Sequence, residues 1–378
     1  MSDIKKYDVS IRPISPVHIG SGEDYTASEF SKDRLPGKNG DIDVYKRINI
    51  SKYYSSLSDD KKEEFIDSLS TPDFELDSFD SKIPNKFKVY TSYNRCKVDV
   101  PANREIQENT KTQNELYIPG TSLKGAIKTA ILFNTVSGRD IQKIDDLIFR
   151  NRKDKLQVGN DNRILDDIFT DYRFRNKAQG SIMRFLQVSD SSTIKYPAVY
   201  DVISVMATDN RSKQFYKRNG NVVRSFLECI GSENELKTTI STNYNEKTYS
   251  KLNLGNKKEL IDIEYIKKSI YDFSKAIIDY EIEFSEKYDI TYLSNFYKKY
   301  EKDNTVESPL LKLGAGSGLL ATTIGLKIKE YDEHEFENYF EKVRQASNGH
   351  NYLFEYPKSR KIIVRGAKPL GWVKLTFN

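Results

Sequence analysis

Near the start of the chain, apolar Tyr7, Val9 and Ile11 alternate with polar Asp8, Ser10 and Arg12. A side-chain period of two puts each set on its own face, which predicts a half-buried strand. Pro13 and Pro16 then limit regular pairing, and residues 17–22 read as a turn. The pattern weakens over 31–114, an Asp/Lys/Ser-rich stretch with prolines at 72, 84 and 101 and one helix expected from near Ser58. So long an interval between core elements predicts an insertion or mobile lobe. Order returns at 116–122, where Pro119-Gly120 closes a turn and Thr121 or Ser122 is expected to cap a helix. Leu123, Ala126, Ile127, Ala130 and Ile131 form its buried stripe, with Lys124 and Lys128 together on another face. A strand is expected at 183–188, and the mixed acids and bases of 139–180 predict solvated helices and loops. Residues 210–300 read as helical. There Ile266, Ile270, Phe273, Ile277, Tyr280 and Phe284 recur at spacings of four and three, which predicts one long amphipathic helix packed on a core. At the end, Val373, Leu375 and Phe377 alternate with Trp372, Lys374 and Thr376, a final half-buried strand.

At 378 residues the chain exceeds the usual single-domain size. Two strand–loop–helix modules separated by a helical stretch predict an α+β fold with duplicated ferredoxin-like halves. The halves are placed at 1–205, with an insertion around 31–114, and 206–378, with a helical insertion around 210–300. Charged residues at 30% against 37% hydrophobic, with mean hydropathy −0.66, predict an elongated protein with much polar surface. The net charge of +5 says little alone, but its distribution says more. Acids are absent from 116–139, 210–227, 308–329 and 356–378, and each stretch holds several Lys or Arg. A phosphate backbone needs cations and free N–H groups without carboxylates nearby; chance clustering with core segments is the competing explanation. Cys96 and Cys229 stand alone, without CxxC spacing or a nearby His, which argues against structural zinc and a disulfide framework and favours a reducing cytoplasm. The N-terminus lacks the apolar run of a signal peptide, and the uncharged run at 313–326 is too short and Gly-rich to span a bilayer, so no membrane association is expected.

The glycine-rich segment at 313–320 invites a nucleotide-fold reading and fails it. A P-loop needs Lys and then Ser or Thr after its last glycine, where Leu319-Leu320 stands; the dinucleotide fingerprint needs two residues between its second and third glycines, where Gly316 and Gly318 have one between them. What remains is exposed backbone N–H, suited to RNA phosphates, or a tight turn packed on a neighbouring strand. Ser122 and Lys124 place a helix start beside a cation, a setting that attracts anions. From Arg211 to Arg218 cations interleave with Phe215 and Tyr216: either single-strand binding, with rings stacking on bases, or a hairpin whose aromatics return to the core. His18 is the one histidine in a motif-like setting, and spacing supplies no second proton carrier for acid–base cleavage. No Ser/His/Asp or Cys/His set is present; Glu23, Asp24 and Glu29 read as a loop with three acids rather than a metal site.

Five segments in order carry a resemblance: ISPVHIGSG at 14–22, YIPGTSLKGAI at 117–127, LQVSD at 186–190, LGAGSGLL at 313–320 and KPLGW at 368–372. Together they resemble the signature blocks of the RAMP superfamily, and the combination is most similar to the fifth Csm subunit of type III-A CRISPR-Cas effectors. The resemblance covers both ends and leaves about half of the chain unsupported. It implies a duplicated ferredoxin-like, RRM-like core with helical insertions and a protruding thumb, in a non-catalytic subunit that caps the crRNA 3′ end without a cofactor or metal. The implied partners are crRNA, target RNA, the repeating backbone RAMP subunit, the small subunit and trimming nucleases. It makes His18, Gly20, Ser21, Gly22, Ser122, Lys124 and the loop Gly314, Gly316, Ser317, Gly318 candidate RNA contacts; the acid-free stretches add Lys128, Lys217, Arg218, Arg365 and Lys368. The backbone subunit of the family slices target RNA with an aspartate shortly after its first glycine-rich turn. Here 25–30 reads YTASEF, with no matching Asp. Two other functions stand against the leading one: a metal-independent CRISPR RNA-processing endoribonuclease using His18, and a target-slicing backbone subunit using an acid within 23–29.

Overall fold

The computed structural model describes residues 3–38, 40–142, 149–152, 155–158, 163–171, 173–174, 176–207, 213–346, 357 and 359–378. Two large sheets carry the α+β fold. The first is five-stranded, in the order Leu186–Val188, Leu236–Tyr244, Asp3–Pro13, Trp372–Phe377, Leu310–Lys312. Its pairings are antiparallel. The alternation around Tyr7–Ile11 thus marks the middle strand, where Val9 faces Thr238 on one side and Phe377 on the other. Val9 and Ile11 are buried, as the period of two requires. Both ends of the chain meet in this sheet.

The spacing-of-four-and-three segment forms the helix Ile263–Lys287, with Ile266, Ile270, Phe273, Ile277, Tyr280 and Phe284 all inside. Asp262 starts it by accepting the Glu264 N–H at 3.0 Å. It packs against Gly120–Thr135 and Thr291–Glu301, with the Phe133 and Phe273 rings 5.2 Å apart. These helices share one apolar core with Val9, Ile11, Leu236 and Ile240 of the sheet.

The second sheet is mixed and ten-stranded. Its main path runs Gly20–Tyr25, Ile106–Asn109, Arg224–Cys229, Ala198–Ala207, Lys88–Asn94, Ile42–Ile48, Phe30–Leu35; Lys213–Phe215 and Ser359–Ile363 also pair with Ala198–Ala207, and the short Lys368–Pro369 pairs with Ser359–Ile363. Several of these strands lie in 31–114, where the pattern is weak. Only the middle of that interval stands apart, where Ile50–Ser55 and Asp59–Leu69 close a small core of Tyr53, Phe65, Leu76 and Phe87. Residues 213–244, expected to be helical, form strands. In Leu236–Tyr244 the inward positions are Leu236, Thr238, Ile240 and Thr242; threonine reads as polar in a pattern but its β-branch suits a pleated surface. The strand expected over 183–188 is a 3-10 turn, Ile182–Phe185, followed by a short strand. Of the interval 139–180, residues 143–148, 153–154, 159–162, 172 and 175 lie outside the described residues. Both cysteines are free and buried. Among the described residues, no helix is long and apolar enough to cross a membrane.

Phe273→Ala removes a buried ring at the junction of two helices and the sheet. It is expected to cost about 3–5 kcal/mol in urea unfolding. A loss under about 1 kcal/mol would show that the two helices do not depend on each other.

Candidate nucleic-acid interface

Three of the five signature segments interlock through their backbones. The Ala315 N–H donates to the His18 carbonyl (2.8 Å), the Leu313 N–H to the Gly371 carbonyl (2.7 Å) and the Gly371 N–H to the Pro16 carbonyl (2.8 Å). Side chains would block this approach. A Cβ on Gly314 would lie 2.1 Å from the His18 carbonyl oxygen and one on Gly371 2.2 Å from that of Leu313, and both residues have φ above +60°. The glycine loop therefore divides. Gly314 and Gly316 pack, the latter against Leu370, whereas Gly318 has open space around it. Ser317 closes the turn with its hydroxyl on the Gly314 carbonyl (2.8 Å). Among the described residues the N–H groups of Gly316 and Gly318 make no hydrogen bond.

His18 corrects an expectation. Its ring is 4% exposed, with Nδ1–H donating to the Glu228 carbonyl at 2.7 Å. Burial lowers its pKa, so it is neutral. Its carbonyl, not its imidazole, is what the glycine loop uses. Gly20, Ser21 and Gly22 are exposed on the following strand, where the Ser21 hydroxyl donates to the Glu108 carbonyl. Beneath them sits the buried carboxylate of Glu228, paired with Lys111 at 2.6 Å and accepting the Asn109 N–H at 3.2 Å. Burial raises its pKa, against the pull of Lys111. Of the nearby acids, Glu29 is engaged by Arg47 at 2.9 Å and by the Thr26 N–H at 3.0 Å.

The other two signature segments form a separate knot. Gly120 approaches the 188–189 backbone so closely that a Cβ would lie 2.2 Å from the Val188 carbonyl oxygen. The helix starts at Gly120, one residue before the expected cap, and neither Thr121 nor Ser122 caps it. Instead Asp190, brought in from the LQVSD segment, accepts the Gly120 N–H at 2.7 Å. A carboxylate thus already occupies the positive end of this helix, which weakens the anion site expected at Ser122. Lys124 and Lys128 remain as a like-charged pair on one face. Burial and the neighbouring Lys128 lower the Lys124 pKa, and Lys128 lies over the Phe169 ring.

The remaining candidates sit on two turns. The chain from Lys213 to Cys229 runs beside Ala198–Ala207 but loops out as a small hairpin in which Lys217 faces Val222 and Arg218 faces Asn221. Arg211 of this segment lies outside the described residues. Phe215 and Tyr216 are 39% and 46% exposed, so the aromatics do not return to the core. Arg365 lies on the turn after Ser359–Ile363, which pairs with the opposite edge of the same strand, and Lys368 opens the short return strand beside it. Both turns leave the sheet near residues 201–204. Lys124, Lys128, Lys217, Arg218, Arg365 and Lys368 form no ion pair among the described residues. Their neighbours in the same acid-free stretches do find acids from elsewhere in the chain: Arg224 with Asp201 (2.7 Å), Lys329 with Glu283 (3.0 Å) and Arg360 with Glu281 (2.7 Å).

Sequence reasoning missed a cavity of about 250 Å³ behind the glycine loop, lined by residues 316–320, Lys312, Glu281, Arg360 and Lys361. Lys312 is 6% exposed and makes no hydrogen bond or ion pair among the described residues; its ammonium lies 5.5 Å from the Trp372 ring centroid. The signal was present. Lys312 interrupts the apolar run of a strand, and Glu281 falls on the apolar stripe of its helix. Burial, with Arg360 adding to it, pushes the Lys312 pKa down to about 8, against the pull of Glu281.

In phosphate-free buffer this gives a pH dependence. Between about pH 8 and 10.5 the unfolded chain keeps a proton at Lys312 that the folded chain has lost. Raising the pH through that window therefore favours the folded state. Relative to Lys312→Met, wild-type stability is expected to rise by up to about 3 kcal/mol across it, read by urea unfolding of both proteins. A constant difference between them would show that Lys312 is not desolvated.

The architecture has solved counterparts. It matches a chain of a cryo-EM structure of a Csm–crRNA–target RNA ternary complex of a type III-A CRISPR-Cas system with TM-score 0.70 at 22% identity, covering 98% of this chain and 100% of that one. It also matches the crystal structure of T. onnurineus Csm5 with TM-score 0.60 at 20% identity, covering 96% and 99%. In sequence it is 25% identical to the CRISPR system Cms protein Csm5 of Methanocaldococcus jannaschii over 98% of this chain and 88% of that protein. The Csm5 of Enterococcus italicus is 30% identical over 34% of this chain and 43% of that protein. The model of the RAMP superfamily matches residues 10–321, which takes in four of the five signature segments, the whole of the Gly120 knot and two of the three segments of the other. The chain belongs to the RAMP superfamily.

Proposed function

We propose that the chain is a non-catalytic RNA-binding subunit of a type III-A CRISPR Csm effector, capping and stabilising the 3′ end of the crRNA and serving its maturation and RNA-guided antiviral interference. The observation that carries this reading is the set of six cations on turns and a helix face that find no acid partner among the described residues. Other exposed lysines on the helices of this protein do find one, as Lys61, Lys275 and Lys298 show. Surface cations left unpaired beside exposed Phe215 and Tyr216 suit a single strand, whose phosphates take the charges and whose bases stack on rings. The likeness to Csm5 over nearly the whole chain, and to a chain of a Csm–crRNA–target RNA complex, supports an assembly of this kind; the proposed ligands are crRNA and target RNA, the proposed neighbours the repeating backbone subunit and the small subunit, with trimming nucleases as transient partners in the cytoplasm.

In this reading the five-stranded sheet, backed by the helices Gly120–Thr135 and Ile263–Lys287, is one ferredoxin-like, RRM-like unit of a duplicated core, and the small helical body at 50–79 is a protrusion from it. Exposed Gly20, Ser21, Gly22 and Gly318 let RNA backbone approach closely. Burial of His18 and the engagement of Glu29 by Arg47 support the non-catalytic part of the reading. A general base needs reach to its proton; the His18 ring is buried, and the Glu29 carboxylate is already held by Arg47.

Two double variants test the surface: Lys217→Ala with Arg218→Ala, and Lys124→Ala with Arg365→Ala. Each is expected to weaken single-stranded RNA binding and to reduce the slope of log affinity against log salt by about 0.7 per lost phosphate contact. Unchanged affinity at low and high salt would remove those residues from the interface. RNA cut by the purified chain but not by His18→Ala would replace the whole reading with an endoribonuclease.

A further inference from the structure

Behind the glycine loop the charges do not balance. The cavity is lined by three cations, Lys312, Arg360 and Lys361, against one carboxylate, Glu281. Arg360 Nε holds both oxygens of that carboxylate, at 2.8 and 2.7 Å. Lys312 makes no ion pair among the described residues and feels that carboxylate only from a distance, its ammonium bordered by the face of Trp372. A buried charge without a paired counter-charge is among the costliest features a fold can keep. The same cavity is edged by Gly316 and Gly318, whose N–H groups are also without partners among the described residues. Orphaned donors of two kinds, backbone amide and ammonium, therefore border one small space.

We infer that this cavity is a binding site for a single phosphate group, held by Lys312 from within, by the backbone N–H groups of Gly316 and Gly318 at the rim, and by Lys361 at the mouth. A tetrahedral anion with several acceptor oxygens matches donors arriving from different sides. A carboxylate, with two oxygens in one plane, satisfies fewer of them. The volume of about 250 Å³ lies below the roughly 300–1,000 Å³ that houses drug-sized ligands, so the group enters as inorganic phosphate or as a terminal monoester rather than as an internal phosphodiester with two strand arms. Backbone N–H groups of a glycine turn are an established way to cradle such an anion. The site shares Gly318 with the proposed RNA surface but none of its cations Lys217, Arg218 and Arg365, so the variants that test one leave the other intact.

The test uses the purified full chain, with thermal unfolding followed as inorganic phosphate is added against chloride at matched ionic strength. Wild type is expected to gain a few degrees and saturate, as a ligand of the folded state requires. Lys312→Met should fold, since it removes a buried charge that makes no ion pair, and should lose the gain entirely. Lys361→Ala, at the exposed mouth, should weaken the response several-fold and serves if Lys312→Met does not fold. Two short RNAs, one with a terminal phosphate and one with hydroxyl ends, then identify the source. Displacement of phosphate by the first alone assigns the site to an RNA end; displacement by neither assigns it to the free anion. Wild type responding no more to phosphate than to chloride, Lys312→Met keeping the response, or both RNAs displacing phosphate equally would overturn the inference.

Discussion

The close approach of backbone to backbone at His18, Gly314 and Gly371 is the constraint on which the rest is built. The segment after the first strand lies about three hundred residues of chain from the glycine loop, and further from the last strand, yet their amides and carbonyls bond directly. Direct bonding requires that nothing stand between the strands, and glycine alone supplies that at 314 and 371. Once these contacts form, the exposed Gly318, the Arg365 turn and the cavity behind the loop all have fixed places relative to one another. A substitution at either glycine therefore acts on the surface as a whole rather than on one contact.

Charge is handled in two opposite ways on the two sides of this knot. Inside, acids are paired: Glu228 with Lys111, Asp201 with Arg224, Glu281 with Arg360. Such pairs contribute little net stability, because desolvation offsets most of the attraction. Their effect is positional. Glu228 draws Asn109 and Lys111 toward the strand that carries it, and its own carbonyl holds the His18 ring, so the 14–22 segment is gripped from below while the glycine loop grips it from the side. Outside, the cations at 217–218 and 365–368 are left without acids. Lys312 belongs to neither class, being buried and unpaired.

Where one face of an element is buried, the sequence announced it. The strand at Asp3–Pro13 and the helix at Ile263–Lys287 carry their inward residues at the expected period; the final strand keeps Val373 and Leu375 inward but also buries Trp372, which the alternation set on the polar face. The ten-stranded sheet was hidden because its outer strands bury little: Phe30–Leu35 is buried only at its first two positions and then exposes Lys32, Asp33 and Arg34. The exposed cations were legible as acid-free stretches, but sequence-local absence of acids does not show which cations the fold later pairs; Arg224, Lys329 and Arg360 took acids from elsewhere in the chain. His18 misled because a motif-like histidine gives no sign of the carbonyl that will hold its ring. The helix cap misled for the same reason, since Asp190 lies seventy residues from the amide it accepts.

The placement of the cations on turns follows from what the strands have already spent. Ala198–Ala207 is paired along both edges, by Arg224–Cys229 and Lys213–Phe215 on one and by Lys88–Asn94 and Ser359–Ile363 on the other. Its backbone has no unpaired edge to lend to RNA, and six of its first seven residues are buried along with their neighbours. Recognition by strand addition is closed to such a strand. What remains is to leave the sheet at each side and return, and the hairpin at 217–222 and the turn at 364–367 do so beside the same few residues. Two cationic tips rising from opposite edges of one rigid strand keep a fixed separation, while long lysine and arginine stems let each tip adjust to a phosphate. An interface of that kind reads the spacing of a backbone and leaves sequence to base pairing.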